Sequence, residues 1–155
     1  MPMDRKRESL MREVSFDVEG FPPLKNQATS MFAARHGHAS SVVLLLEAAR
    51  HAISGRPFQA FTTPVGLEVV VRAPDGAVRG DATNYLGGIG DTLQEKGHLT
   101  IPLDHLGDLV AIALFLDDKQ IQEIHYRQEK STTNSYQVRI WLLADGSNDI
   151  SAGVD

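Results

Sequence analysis

Asp81-Ala-Thr-Asn84-Tyr-Leu-Gly-Gly-Ile-Gly-Asp91-Thr-Leu93 is the stretch on which the reading of this chain turns. Asp81 suits a helix N-cap, because a short carboxylate accepts from the unpaired amides of a first helical turn. Leu86, Ile89 and Leu93 then recur at helical spacing, so Asp81 to Lys96 is predicted to form an amphipathic helix. Gly87, Gly88 and Gly90 oppose that helix by about 1 kcal/mol each relative to alanine. So many glycines in one helix need a compensating reason, and close approach of another backbone is the most economical one. On such a helix Asp81, Asn84 and Asp91 align along one face.

Upstream, Val14, Phe16 and Val18 alternate with Ser15, Asp17 and Glu19, the period of a half-buried strand. Gly20 and Pro22-Pro23 end it. From Ser40 the positions Val43, Leu46, Ala49 and Ile53 return at helical spacing, with Ser40 or Ser41 as N-cap and Gly55 before Pro57 as the stop. Leu67 to Arg72 is a Val-rich strand closed by the turn formers of Ala73-Pro74-Asp75-Gly76. Downstream, the apolar run Leu109 to Leu116 reads as a buried strand or a short helix, with at least its end favoured as a strand. Ile121 to Gln128 and Tyr136 to Leu143 read as two more strands, and the polar loop between them predicts a hairpin. This order predicts an α+β fold, one mixed sheet of four to five strands packed with two main helices. The domain is expected over 12–144, between a flexible arm at 1–11 and a disordered tail at 145–155.

Composition narrows the chemistry. A length of 155 residues suits one hydrophobic core. The chain has no cysteine, which excludes disulfides, thiolate zinc sites and cysteine nucleophiles, so any metal must sit on oxygen or imidazole. No apolar run of membrane-spanning length and no signal-like core at the start are seen, and a cytoplasmic protein is expected. A net charge of −5 counts against an extended nucleic-acid surface, since phosphate binding draws on unpaired Lys and Arg.

The carboxylates carry what chemistry the sequence offers. Asp117-Asp118 stands between an apolar run and the strand that begins at Ile121. Folded back over the helix start at Asp81, the pair would bring three or four carboxylates together. Such a cluster raises its own pKa values unless a cation neutralises it, and hard oxygen ligands suit Mg²⁺ or Mn²⁺. The bland alternative is that Asp81 caps a helix, Asp91 is solvated and Asp117-Asp118 forms a turn. Other signals are weaker. His36-Gly37-His38 lacks a third ligand at suggestive spacing. Gly87-Gly88-Ile89-Gly90 lacks the lysine of a phosphate loop and reads as helix packing, and Trp141 reads as a structural aromatic in its strand.

The run Asp81-Ala-Thr-Asn84 with Asp91-Thr-Leu93, then Asp117-Asp118-Lys-Gln-Ile121 and Lys130, resembles RusA-type Holliday junction resolvases. Those proteins carry an Asp-x-Asp-Asn helix start, a later Asp-x-Leu and an Asp-Asp-x-Gln-Ile-like segment leading into a strand. Weaker similarity extends back to the turn Phe21-Pro22-Pro23-Leu24-Lys25. The resemblance implies a homodimeric, Mg²⁺-dependent endonuclease acting on branched DNA in recombination and repair. Carried over by position, it makes Asp81, Asp117 and Asp118 catalytic metal ligands, with Thr83, Asn84 and Asp91 in support and Lys25, Lys119 and Lys130 toward DNA. Two positions depart from the pattern: Thr83 stands where its second acid falls, and Gly87 where its lysine falls. A hydroxyl cannot replace a carboxylate's charge, and no ammonium remains on that helix to hold a phosphate. Three readings therefore stand: a divergent nuclease, a non-catalytic dimeric binding or scaffolding relative, and an unrelated α+β protein, the last of which a structure without convergence of Asp81 with Asp117 or Asp118 would establish over the other two.

Overall fold

A computed structural model describes residues 9–25, 39–78, 80–96 and 104–143. They form one α+β domain: β1 (Glu13–Glu19), α1 (Ala39–Ile53), β2 (Val65–Ala73), α2 (Ala82–Leu93), β3 (Ile121–Lys130) and β4 (Ser135–Leu142). Two short 3₁₀ segments, Asp104–Ala111 and Asp118–Gln120, lie between α2 and β3. The sheet has the order β1-β4-β2-β3, with β4 antiparallel to both β1 and β2, and β3 parallel to β2. None of the described helices is long and apolar enough to cross a membrane.

Alternation along the strands decides which face is covered. Val14 and Val18 of β1 lie in register with Ile140 and Tyr136 of β4, and Leu67, Val69 and Val71 of β2 continue the same face. That face forms one core with Val42, Leu45, Leu46 and Ala49 of α1 and Tyr85, Ile89 and Leu93 of α2, all of them buried. The opposite face carries Glu13, Asp17, Glu68, Arg72, Arg127, Glu129 and Arg139 in neighbouring rows. Arg72 reaches Asp17 and Glu129, Arg127 reaches Glu68 and Glu129, and Arg139 reaches Glu13 and Glu68. Each pair is partly exposed and contributes little alone, but together they leave the three guanidinium groups in contact with carboxylates. Trp141 lies flat on the polar face, over Gly66 of β2. A Cβ on Gly66 would fall inside its ring, and the Arg139 guanidinium stands 4.2 Å from the ring centroid.

The predicted hairpin does not form. β3 and β4 follow one another in sequence but flank β2 on opposite sides, and their connection passes the end of β2, where Ser131 N–H donates to Ala73 O. The physical reason is burial. β2 is buried at seven of nine positions, while β3 has no fully buried residue, so the apolar strand takes the interior place. Leu109 to Leu116 also differs from expectation. Its first part is 3₁₀ and its end makes only isolated bridges, Phe115 with Phe61 and with Gln94. Of the expected flexible ends, Ser9 to Met11 is described and Met11 N–H donates to Pro57 O. Residues 1–8 and 145–155 lie outside the described residues.

Two buried polar groups yield predictions. The Tyr136 hydroxyl is buried without a hydrogen-bond partner among the described residues, and burial pushes its pKa well up. Tyr136→Phe removes that unpaired group and is expected to raise stability by about 1 kcal/mol, read from urea midpoints. Lys96 is buried, donates to the carbonyls of Gln94 and Ile112 at 3.2 and 2.6 Å, and is pushed down to about 8 by burial. Its folded pKa is below its unfolded one. Stability should therefore be constant in this term below about pH 8 and rise with pH from there toward 10.5, as the unfolded state alone retains the proton. From about pH 7.5 to 9.5 the gain is about 2 kcal/mol, and Lys96→Met should flatten it. The scan stops short of pH 10, where the raised Tyr136 acts in the opposite sense.

Candidate functional site

The first turn of α2 is built around Asp81. Its backbone is extended and its Oδ1 accepts from the amide of Asn84 at 2.8 Å and the hydroxyl of Thr83 at 3.0 Å. These two bonds hold the carboxyl below its usual range. The N-cap predicted from sequence is present, and Thr83 fills the place of the missing acid with a hydroxyl that donates back to the cap. Behind it, buried Tyr85 stacks with Phe21, ring centroids 6.3 Å apart, and its hydroxyl accepts from Gly80 N–H at 3.1 Å.

The middle of α2 explains its glycines. A Cβ on Gly88 would overlap the carbonyl of Pro23, and one on Gly87 would overlap the aliphatic chain of Lys25. The close backbone approach expected from the sequence is thus to the Pro22–Lys25 turn. Lys25 crosses the helix where a side chain at position 87 would lie, and its Nζ stands 3.9 Å from Oδ2 of Asp91.

At the far end Asp118 packs beside Gly90, its Cβ 3.5 Å from where a Cβ on that glycine would be, with Ile121 next to it. Asp118 N–H donates to Oε1 of Gln94, the C-cap residue, at 3.0 Å. Asp117 is a turn former: its Oδ1 accepts from Lys119 N–H at 2.8 Å. Gln120 completes the turn, accepting from the amides of Leu116 and Asp117 and donating to the carbonyls of Phe61 and Thr63. The sequence reading includes Gln120 only as part of the Asp117–Ile121 motif and gives it no role, although the spacing Asp117-x-x-Gln120 is that of a capping box. Tyr126 of β3 has no place in the sequence reading. Burial pushes its hydroxyl up, and the charges of Tyr85 and Asp81 act in the same sense against the hydrogen bond from Gln128.

The predicted set therefore divides. Asp81, Thr83 and Asn84 share the start of α2, whereas Lys25, Asp91 and Asp118 share its second half. Gly90 lies about 13 Å along the axis from Asp81, at ~1.5 Å per residue, so Asp81 and Asp118 occupy opposite ends of the helix. Lys119 is on the exposed turn, and Lys130 stands 3.5 Å from Asp75 at the other end of β3. His36 and His38 fall outside the described residues. Among the described residues no three His, Asp or Glu side chains are grouped to hold a metal ion. As placed, Asp81 with Asp117 and Asp118 does not fit one shared Mg²⁺, and no catalytic step follows from them. No protein-family model matches the chain, and none of the curated proteins compared with it is significantly similar.

The glycine stripe gives a paired prediction. Gly88→Ala meets the Pro23 carbonyl and should cost about 1 to 3 kcal/mol through overpacking. Gly90→Ala finds only ordinary contacts and should gain about 0.5 to 1 kcal/mol in helix propensity. Thermal or urea unfolding of the two variants reads the opposite signs.

Proposed function

We propose that this chain is a non-catalytic α+β binding or scaffolding module whose likeness to RusA-type proteins is confined to the order of its motifs. One observation carries the reading: Asp81 and Asp118 are held apart by the length of α2, Asp81 as the helix cap and Asp118 against Gly90. Within one chain, carboxylates at the two ends of α2 cannot share one cation at oxygen-ligand distances of about 2 to 2.6 Å. The polar sheet face agrees with it, because Arg72, Arg127 and Arg139 are already matched by carboxylates and offer little counterion release to a phosphate backbone. A dimeric state would come only with the resemblance, and the cytoplasmic setting rests on the lack of a spanning run or signal-like start in the sequence.

A second reading, the Mg²⁺- or Mn²⁺-dependent junction endonuclease, is favoured by Lys25. Its chain covers Gly87 and returns an ammonium to the neighbourhood where RusA-type proteins carry a lysine. The experiment that separates them is incubation of the folded protein with a labelled four-way DNA junction and with linear duplex, in Mg²⁺ and in Mn²⁺. The expected outcome is no cutting in either metal. Junction-selective cutting that is lost in Asp81→Asn would overturn the binding-module reading and establish the enzyme.

A further inference from the structure

We infer that the outer edge of β1, along the groove it forms with α1, takes the C-terminal segment of a partner protein as an added antiparallel strand in which lysine or arginine alternates with aliphatic residues. The inference rests on the binding-module reading of the proposed function and names its partner. Register fixes which groups are open. Gly20 N–H donates to Asn134 O and Leu142 N–H to Arg12 O, so the even-numbered residues of β1 are the ones bonded to β4. The amides and carbonyls of Glu13, Ser15, Asp17 and Glu19 therefore point to the outer side, where no described strand lies. An open edge of this kind is a template for a further strand. The opposite edge of the sheet is less regular, because Gln122 of β3 bulges out of the register with β2. Beside β1 the groove measures ≈ 600 Å³, a size usual for binding clefts. Half-buried Phe16 lines it, and on the helix wall Ala48 and Ala52, one turn apart, leave room for an incoming side chain. One end is closed: Met11 N–H, the outward amide before Glu13, donates to Pro57 O. Arg56 lines the groove at that end, and its guanidinium has no ion-pair partner among the described residues.

Charge selects the occupant. β1 carries Glu13, Asp17 and Glu19 on one face and no basic residue. Arg139 and Arg72 reach Glu13 and Asp17, but at 3.4 and 3.6 Å, and each guanidinium stands closer to a second carboxylate, Glu68 at 3.1 Å and Glu129 at 3.2 Å. Two shared cations leave this rim with a surplus of negative charge. Residues of an added strand that face Glu13, Asp17 and Glu19 project onto the same side of the sheet, where lysine or arginine matches them. The residues between project over Phe16, Ala48 and Ala52, where aliphatic side chains fit. A segment antiparallel to β1 ends at the closed end of the groove, and its terminal carboxylate meets Arg56 there. A second copy of this chain is the poorer occupant. Centring β1 against itself on Ser15 or Phe16 sets Glu13 of one copy opposite Asp17 or Glu19 of the other, like charges face to face.

The probe is a synthetic peptide as long as β1, alternating lysine and valine, acetylated at its start and with a free C-terminus. It is titrated into the full chain by calorimetry and by NMR. Saturable binding is expected, with the amides of Ser15 and Asp17 shifting and becoming protected from exchange. N-methylation of the lysine amides, which face β1, should weaken binding by about tenfold or more, whereas N-methylation of the valine amides, which face solvent, should not. Asp17→Lys should weaken it by about tenfold or more, as should Ala52→Trp, which fills the groove, with circular dichroism confirming that both variants fold. Amidating the peptide's C-terminus should weaken binding to the wild-type chain and leave binding to Arg56→Gln unchanged. No saturable binding, or equal tolerance of the two methylation patterns, would overturn the added strand alone; junction-selective DNA cutting would overturn the module reading. Equal binding of free acid and amide would overturn the C-terminal segment as occupant. Ser15 and Asp17 amides that respond to protein concentration without peptide would seat a second copy on this edge and overturn the peptide.

Discussion

The contact of Gly88 with the carbonyl of Pro23 sets the position of α2, and most of what is informative about this protein follows from where α2 sits. With no side chain at 87 or 88, the helix settles directly on the turn that leaves β1, and Tyr85 is then enclosed between Phe21 and Gly80. The same seat aims Gly90 and Gln94 at the Asp117–Gln120 turn. That turn is hydrogen-bonded to Phe61 and Thr63, just before β2. One helix thereby ties together the exits of β1 and the entrances of β2 and β3. A tightly seated helix is not free to slide, so the distance between its two ends is a fixed dimension of the domain.

Much of this was legible in the chain because the relevant signals are local. Asp81 as a cap, the alternation through Val14, Phe16 and Val18, and the glycines as a packing surface each depend on a few neighbouring residues and a known geometry. The sheet order was not legible for the opposite reason. Ile121 to Gln128 and Tyr136 to Leu143 look like two arms of a hairpin at short range, and only competition for the buried place beside β1 and β2 separates them. Leu109 to Leu116 misled in the same way: an apolar run states that it is buried, not how its backbone runs.

The candidate site shows the limit of reading along a sequence. Spacing along α2 put Asp81, Asn84 and Asp91 on one face, and that is geometry internal to the helix. Where Asp118 meets the helix depends on the path of residues 94 to 117, which no local pattern specifies. Lys25 is the clearest instance, because a residue flagged only within a weakly similar turn proves to lie across Gly87, 62 positions later in the chain.

The pairing of β1 with β4 has a consequence for how the protein is made. β1 is the first strand and its described strand partner is the last one, on the far side of every other element. A ribosome releasing the chain from its N-terminus presents β1 long before β4 exists, so the sheet cannot close during most of synthesis. Contacts between such distant segments slow folding, because the whole intervening chain must be ordered first. Until β4 arrives, β1 has no strand partner among the described elements, and an unpaired edge carrying Val14, Phe16 and Val18 is the kind of surface on which incomplete chains aggregate.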